Sequence, residues 1–394
     1  MGPLRLRRRY SYCASCEKGF SASHKIVGLP ESDFTAHLEE SVTMMAATVP
    51  YAMATRLIEK MCGIEVSVKA TEQMVQRRAH ALQELDAQQA QQLSPYDSEG
   101  LAVEQQQRPA DAVCADKTPE VAYLEIDGVV PITREEIPVN ELSTSDKARL
   151  RRAKLSKARG GKGRRYEIIG REVKNAVLYQ AKDCAEQSAT RGCILEKTYV
   201  SYLGTWSLFA LRLWVTMLRL RFDKAKTLVV LSDGAEWIRS LAQWLPIPSV
   251  LILDLFHVKH RIWDVAHALY GAHSAKAKEW ADIQCERIEA GHAKKVLHAM
   301  KFLRPPRADA RELVDKLAGY LHENRDRIDY PSYRAKGFRV STSAVESANF
   351  HVTGARLKLQ GMRWSQQGAS HMAALRADLF NDVWDKRTQQ ILAA

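Results

Sequence analysis

The chain has 394 residues, enough for two or three domains, and 46% of them are hydrophobic, which excludes a largely disordered protein. Lysine and arginine number 58 against 46 aspartate and glutamate, so the formal net charge is +12, and this favours a polyanionic partner such as nucleic acid. The seven cysteines are odd in number and irregularly spaced, which favours a reducing cytoplasm over a disulfide framework.

Neither a secretion signal nor a membrane span is indicated by the sequence. The basic start after Met1 has no apolar core, and the most apolar long stretch, 203–220, contains Arg212 and Arg219. We therefore expect a cytoplasmic, nucleoid-associated chain without a membrane partner.

The first segment, residues 1–30, resembles one half of a zinc ribbon. Cys13 and Cys16 form a Cys-x-x-Cys pair, which supplies two of the four ligands that a closed zinc site needs. His24 offers a third ligand, and no second Cys-x-x-Cys pair follows in the chain. Two unliganded thiols are therefore as good an interpretation as a partial Zn²⁺ site.

Residues 31–100 have helical periodicity and predict a small helical, helix-turn-helix-like DNA-binding region. Gly63 ends one helix, and Ser67 is suited to cap the next. The exposed side of that helix carries basic residues that could enter a major groove, although any small bundle with a basic face has the same pattern. These residues are Lys69, Arg77 and Arg78. A linker over 101–118 follows.

Strands dominate from residue 119. The stretch 121–128 predicts a strand ending at Asp127, and 165–180 predicts two further strands broken near Gly170. Between them, 147–165 contains ten lysines or arginines and no acidic residue, which predicts a loop that clamps the DNA backbone, with a solvated loop as the alternative. The clamp residues are Arg151, Arg152, Lys154, Arg159, Lys162, Arg164 and Arg165.

The remaining pattern predicts a mixed α+β/α/β fold with a ribonuclease-H-like catalytic core. A helix over 206–221 is followed by a strand ending at Asp233, a helix, and a strand over 249–257. Residues 119–262 would form the first part of the core, 263–336 an all-helical insertion, and 337–394 the C-terminal part with a helix carrying Glu346. In this topology Asp127 and Asp233 end neighbouring strands, which brings both carboxylates to one edge of the sheet.

Paired carboxylates of this kind suit hard divalent cations that act in phosphoryl transfer. Glu346, on a helix after the sheet, could supply the third carboxylate. The spacing also fits a capping box with Ser343, in which Glu346 would bond only a backbone amide.

Further along the chain, a basic patch with an aromatic residue suits phosphate and base contacts, although an ordinary helix surface with a buried tryptophan would have the same pattern. The patch comprises Arg356, Lys358, Arg363 and Trp364.

Several segments resemble the DDE transposases of the ISKra4 insertion-sequence family and the broader Mutator-like superfamily. The most specific are Asp-x-x-His at 254–257 and Gly-Met-Arg-Trp at 361–364; the others are 126–128, 231–237, 343–347 and 354–358. The resemblance implies that Asp127, Asp233 and Glu346 form a DDE triad binding Mg²⁺ or Mn²⁺. It places Asp254 and His257 near that site, where they would orient DNA or a water; a buried aspartate with a satisfied histidine is the alternative.

The activity implied is cleavage of double-stranded DNA at the element ends, followed by joining of the 3′-hydroxyl to target DNA. The family also implies a homo-oligomer on DNA, because two ends must be joined. A catalytically silent or truncated transposase-derived DNA-binding protein is one alternative, and a ribonuclease-H-like nuclease is another. Were Glu346 not the third ligand, Glu323 would be next in line.

Overall fold

The structure is a computed structural model that describes residues 10–20, 34–104, 107–138, 140–145, 147–148, 166–188 and 191–393. Its strands are β1 Ser11–Cys13, β2 Lys18–Phe20, β3 Val121–Val129, β4 Ile132–Glu136, β5 Tyr166–Gly170, β6 Val173–Gln180, β7 Cys184–Ser188, β8 Arg191–Ile194, β9 Thr198–Leu203, β10 Thr227–Ser232 and β11 Ser249–Leu253.

The described helices are α1 Ala36–Thr48, α2 Tyr51–Cys62, α3 Val68–Gln92, α4 Trp206–Leu220, α5 Glu236–Trp244, α6 Leu255–Tyr270, α7 Ala275–Glu289, α8 Ala293–Met300, α9 Ala308–Glu323, α10 Tyr330–Ala335, α11 Ser343–Ala348, α12 Ala355–Leu357, α13 Gln366–Phe380 and α14 Trp384–Ala393. A π-helical turn, Asn349–Gly354, connects α11 to α12, and 3₁₀ turns cover Ala115–Lys117, Ala181–Asp183, Phe222–Lys224 and Arg325–Arg327. The predicted helix that carries Glu346 is thus confirmed, with a π turn inside it.

The chain divides into two compact units. Unit 1 is drawn from Met1–Ala87, Val130–Arg171 and Val352–Ala394, and unit 2 from Gln88–Val129 and Glu172–His351. No helix in the described ranges is both long and apolar enough to cross a membrane.

A five-stranded mixed sheet forms the centre of unit 2, in the order β11-β10-β3-β6-β9. Strands β3, β10 and β11 are parallel to one another, whereas β6 and β9 pair antiparallel. Alternate residues of β3 face opposite sides of the sheet, so Leu124 and Ile126 enter an apolar core with Phe209 and Leu213 of α4. Burying each such side chain contributes about 1.5–3 kcal/mol, which holds α4 and α5 on this face.

The other face of this sheet is covered by α11, which contacts β3 and β6. Between β11 and α11 the chain forms a helical block in which α6 packs against α7 and α9. The block occupies the region where the sequence predicts helices between the last strand and the segment containing Glu346.

In unit 1, helices α1, α2 and α3 enclose a small apolar cluster that includes Val42, Ile58 and Met74. Gly63 ends α2 with a left-handed φ of 68°, and the Ser67 hydroxyl accepts a bond from the Ala70 amide at 3.1 Å. Both predicted cap residues are therefore confirmed. Helix α13 packs on α1 and on β4, which pairs with β5.

The expected composition of the central sheet needs one correction. Of the two strands predicted over 165–180, β6 joins the sheet, whereas β5 pairs with β4 as a separate ribbon. The third antiparallel position is taken by β9, which follows the β7–β8 hairpin and was not predicted. Strand β5 is mostly exposed and has no buried face, whereas every residue of β6 except the last is buried, as a strand inside the sheet requires.

The turn after β10 depends on glycine at position 234. Its φ is +91°, and an added Cβ would lie 2.7 Å from a methyl of Leu253 and 3.1 Å from the Tyr320 ring. We expect Gly234→Ala to lower the free energy of unfolding by about 1–3 kcal/mol, measured by urea denaturation. The matched control is Gly319→Ala in α9, where an added Cβ meets nothing within 4 Å and a gain of about 0.5–1 kcal/mol is expected. Equal stability of the two variants would contradict this account of the turn.

Candidate active site

Asp127 lies near the end of β3 rather than at its last residue, on the same face as Glu125. Ile126, between them, points into the apolar core, so both carboxylates face the side on which α11 packs. Strand β10 is parallel to β3, with Ser232 level with Ile126. Asp233, the next residue, therefore follows at the same edge of the sheet as Asp127.

A chain of hydrogen bonds orients the Asp127 carboxylate. Ser201 on β9 donates to the Asn175 side chain at 2.6 Å, and Asn175 donates to Asn349 at 2.6 Å. The Asn349 amide then donates to Asp127 Oδ2 at 2.6 Å, while the Gly128 amide donates to Oδ1 at 2.7 Å. Asn349 opens the π-helical turn one turn after Glu346, a feature that is common at functional sites.

Asp127 and Asp233 also interact through their charges. Burial raises the pKa of Asp127 to about 6; the Gly128 N–H bond opposes that shift, and the neighbouring charge of Asp233 adds to it. Two carboxylates whose negative charges disfavour one another form an environment in which a divalent cation is stabilised.

Asp233 is held through its backbone as well as its side chain. Its Oδ1 accepts from the Ala235 amide at 2.9 Å, closing the turn between β10 and α5. Its carbonyl accepts from the Tyr320 hydroxyl at 2.6 Å. Because Tyr320 lies on α9, the helical block contributes directly to the position of this carboxylate.

The Asp-x-x-His segment belongs to a helix start and not to a strand. The sequence pattern predicts a strand through residue 257, but β11 ends at Leu253. Asp254 is the N-cap of α6, and its Oδ1 accepts from the His257 amide at 2.8 Å. An N-cap side chain accepts from the amide three residues later, which is the spacing of Asp254 and His257. This is the physical reason why a helix begins where the sequence pattern predicts a strand.

His257 and Glu346 meet beside Asp254. His257 Nδ1 lies 3.5 Å from Asp254 Oδ1 and 4.0 Å from Glu346 Oε1. The interaction with Asp254 raises the pKa of His257, burial opposes the rise, and the charges of Asp254, Asp233 and Asp127 add to it. His257 therefore links the two aspartates at the sheet edge with the carboxylate on α11.

Asp254, His257 and Glu346 each offer a ligand atom within 4.8 Å of the others, so these three residues could hold a metal ion. Asp127 and Asp233 stand outside this group. The side chain of Glu346 is 53% exposed, whereas that of Asp254 is 1% exposed. Helix α11 follows Thr342 as its cap residue, without a side-chain cap bond, so the alternative of a Ser343–Glu346 capping box is not formed.

The N-terminus of α11 is instead satisfied by Glu125. This fully buried carboxylate accepts from the amides of Ala344 and Val345 at 2.8 and 2.9 Å, and from the Tyr179 hydroxyl at 2.6 Å. Burial raises the pKa of Glu125 to about 7, although the bond from Tyr179 lowers it. Glu125 thereby ties the helix that bears Glu346 to the strand that bears Asp127.

Asp254 anchors the same segment from a second strand end. Its Oδ2 accepts from the Thr342 amide at 2.5 Å and from the Thr342 hydroxyl. Burial alone would raise the pKa of Asp254, but the bonds from His257 and Thr342 leave that pKa lowered, so the carboxylate is ionised. Its contacts in the structure hold α11 in position, and a role in orienting DNA or a water stays a prediction.

The predicted DNA-contacting residues of α3 have different surroundings. Lys69 and Arg77 are exposed, and Arg77 pairs with Glu39 at 2.9 Å. Arg78 is half-buried: its guanidinium lies 4.1 Å from the centre of the Trp384 ring and donates to the Trp384 carbonyl at 3.2 Å. Arg78 therefore joins α3 to α14 and is occupied by contacts within unit 1.

The predicted basic patch after α11 is not one continuous surface. Lys358 and Arg363 are exposed, whereas Arg356 is 1% exposed and Trp364 is 9% exposed. The Trp364 indole donates to the Leu357 carbonyl at 3.1 Å, which fixes the ring inside unit 1.

The residues of the predicted DNA clamp lie outside the described part of the chain. They are Arg151, Arg152, Lys154, Arg159, Lys162, Arg164 and Arg165.

The Cys-x-x-Cys pair lies on the β1–β2 hairpin, with both thiols exposed. Hydrogen bonding, first from the Ser15 side chain at 3.2 Å, lowers the pKa of Cys13 to about 6. Across the ranges that the structure describes, neither Cys13 nor Cys16 belongs to a group of three metal-ligating side chains, and His24 lies outside those ranges. The zinc assignment stays a prediction.

Sequence reasoning missed Glu125, Asn349, Tyr320 and Thr342. A signal existed for Glu125, because it is a charged residue two positions before Asp127 in an otherwise apolar strand, and it therefore shares the face of Asp127. The others are polar residues on helices or at their ends, and nothing local distinguishes them from surface positions.

Comparisons with known proteins include a family match and a similar solved structure. A model for an uncharacterised protein family (UPF0236) matches residues 209–390, which include Asp233, Asp254, His257 and Glu346. The search of curated proteins finds no match. Among solved structures, the chain is similar to the Drosophila P element transposase strand transfer complex at 10% identity, with 94% of this chain and 84% of that chain covered and a TM-score of 0.25.

Replacing Glu125 tests whether this carboxylate anchors α11. Glu125→Ala leaves two helix amides and the Tyr179 hydroxyl without their acceptor and opens a cavity, so we expect a loss of about 2–4 kcal/mol in the free energy of unfolding. Glu125→Gln retains an acceptor oxygen of the same size and should cost less than about 1 kcal/mol. Urea denaturation of both variants measures this difference, and equal losses would exclude the anchoring role.

Proposed function

We propose that this chain is a metal-dependent DNA transposase of a bacterial insertion sequence. The observation that carries the proposal is the convergence of the predicted acidic residues from distant segments. Asp127 and Asp233 share one edge of the sheet, and their charges contribute to the raised pKa of His257. His257 Nδ1 in turn lies 4.0 Å from Glu346 Oε1. A cluster that served only to form structural ion pairs would not need carboxylates placed where they repel one another.

The order of strands in unit 2 supports a ribonuclease-H-like core. Three antiparallel strands, β3, β6 and β9, precede α4, and two strands parallel to β3 follow. The helical block then separates β11 from α11, as an insertion before the last catalytic helix would. Within this proposal membership of the ISKra4 family and the domain limits predicted from the sequence are retained, except that Val352–Ala394 belongs to unit 1.

The residues present fit a divalent cation. Asp127 and Asp233 offer hard oxygen ligands, and burial together with the like charge of Asp233 raises the pKa of Asp127. Asp254, His257 and Glu346 add a group whose ligand atoms lie within 4.8 Å of one another, and its histidine suits Mn²⁺ better than Mg²⁺. When bound, the metal would lower the pKa of the attacking water or hydroxyl and stabilise charge on the phosphate oxygens.

The protein residues supply position and proton control. Asn349 holds the Asp127 carboxylate in one orientation, and Glu125 together with Asp254 keeps α11 on the sheet. The interaction with Asp254 raises the pKa of His257 beside the carboxylates. Because these groups are already in position before the reaction, they need not reorganise during it.

Double-stranded DNA is the proposed partner, with two copies of the chain joining two ends. The net charge of +12 supports a polyanionic partner, and exposed Lys69, Lys358 and Arg363 are proposed phosphate contacts. The basic loop at 147–165 is proposed as a further contact on the basis of its sequence alone.

Nicking of supercoiled plasmid tests the activity. With Mn²⁺ or Mg²⁺, the wild-type chain should nick, whereas Asp127→Asn, Asp233→Asn and Glu346→Gln should each lose at least about 100-fold in rate, because each removes a charged ligand. The matched control is Glu323→Gln, an exposed carboxylate on α9, which should keep wild-type activity.

Three results would redirect the proposal. Loss of activity in Glu323→Gln with Glu346→Gln unaffected would move the third ligand to α9. Tight DNA binding without nicking would favour a silent or truncated DNA-binding derivative. Nicking without joining of 3′-hydroxyl ends to target DNA would favour a ribonuclease-H-like nuclease.

Metal binding should weaken as pH falls. Below pH about 6, Asp127 carries a proton, and protonated His257 adds positive charge, so both oppose a cation. Mn²⁺ affinity, measured by calorimetry, should be about tenfold lower at pH 5 than at pH 7.5. The dependence should flatten in Asp127→Asn and persist in Asp315→Asn, an exposed control on α9. A pH-independent affinity in the wild type would place the cation elsewhere.

A further inference from the structure

Unit 1 contains a cavity of about 270 Å³ that the proposed catalytic site does not use. Its lining combines two aromatic rings, Tyr51 and Trp364, with three arginines and a histidine; these are Arg134, Arg356, Arg363 and His371. The volume is below the ~300–1,000 Å³ of clefts for drug-sized ligands, so it suits one small ring system and its substituent.

The charge of the lining favours an anion. The lining contains three arginines and one carboxylate, that of Glu72, so its positive charges outnumber its negative ones. Arg356 is 1% exposed, and its guanidinium lies 5.0 Å from the Tyr51 ring centre and 4.9 Å from that of Trp364. It donates to the Ala46 carbonyl at 3.0 Å, and burial lowers its pKa. A buried cation held by ring faces and a carbonyl gains much from an anionic partner.

His371 provides a second, independent sign of a ligand. It is 1% exposed and lines the cavity, yet neither ring nitrogen has a hydrogen-bond partner among the residues that the structure describes. Burial lowers its pKa, so the ring is neutral, with one donor and one acceptor nitrogen. Buried polar groups of this kind are normally paired, and a ligand with a donor and an acceptor edge would pair both nitrogens.

The N-terminus of α13 meets the same cavity. Ser365 caps this 15-residue helix by accepting from the Gly368 amide at 3.0 Å, and both residues line the cavity. The positive end of a helix favours a phosphate, as do exposed Arg363 and the guanidinium of Arg134.

We propose that this cavity binds a single unstacked nucleotide. The base would lie against Trp364 and Tyr51 with its polar edge toward His371, and the phosphate would contact Arg363 and the start of α13. Aromatic rings with arginine bind bases of any sequence, and a base leaves a duplex most readily where it is unpaired. The inference rests on the proposed function in one respect, because it takes DNA as the source of the nucleotide; a free nucleotide would offer the same chemistry.

Binding to an unpaired base tests the cavity without requiring cleavage. The full chain, without metal, is titrated with two DNA duplexes that differ by one bulged 2-aminopurine nucleotide, and with dAMP alone. The wild-type chain should bind the bulged duplex about tenfold more tightly than the paired duplex, with a change in 2-aminopurine fluorescence on binding.

The variants Arg363→Ala and Lys358→Ala form a matched pair. Each removes one exposed positive charge from the same segment, but only Arg363 is among the lining residues of the cavity. Both should weaken binding to paired DNA to a similar extent. The preference for the bulged duplex should fall to about twofold in Arg363→Ala and stay about tenfold in Lys358→Ala.

The outcomes separate this inference from the proposed function. A bulge preference that depends on Arg363 supports the nucleotide site even where plasmid nicking is absent. Binding of dAMP that is lost in Arg363→Ala, without a bulge preference, supports a site for a free nucleotide and overturns DNA as its source. Neither bulge preference nor dAMP binding overturns the inference, whatever the nicking assay gives.

Discussion

The position of α11 depends on one buried carboxylate. A helix that begins without a side-chain cap leaves its first amides in need of acceptors, and Glu125 supplies them from the middle of the sheet. Because Glu125 is two residues from Asp127 on the same strand face, these bonds also tie α11 to the strand that carries Asp127. The orientation of Asp127 by Asn349 and the approach of Glu346 to His257 both follow from this connection.

The second constraint is the accumulation of negative charge around His257. Asp127, Asp233, Asp254 and Glu346 come from four segments, and apart from Asp254 they are only partly compensated by hydrogen bonds. Folding such groups together costs stability, and a protein that retains them gains in return a strong attraction for a cation. The fold places the less exposed carboxylate, Asp254, where it holds the backbone, and leaves Glu346 open to solvent. Within this cluster Asp254 thus has a structural role, whereas Glu346 is accessible for the proposed chemistry.

Much of the architecture was predictable because its signals are local. Short β-branched runs predicted β3, β10 and β11, and glycine and serine predicted the end of α2 and the start of α3 at Gly63 and Ser67. The same local reasoning failed for the third antiparallel strand, because it predicted β5 in that position and did not predict β9, and only packing decides which strand joins the sheet. It also failed for residue 257, since an apolar run continues from strand into helix at Asp254 without a change in composition.

The sequence alone determined which residue types stand at strand ends, since periodicity and turn chemistry act over a few residues. Asp127 and Asp233 were predicted in this way. Tertiary structure alone decided that Glu125 caps a helix more than 200 residues away, and that Arg356 and Trp364 line a cavity instead of forming a surface. Such contacts depend on the free energy of burying polar groups with partners from remote segments, and no local pattern encodes which partners the fold brings together.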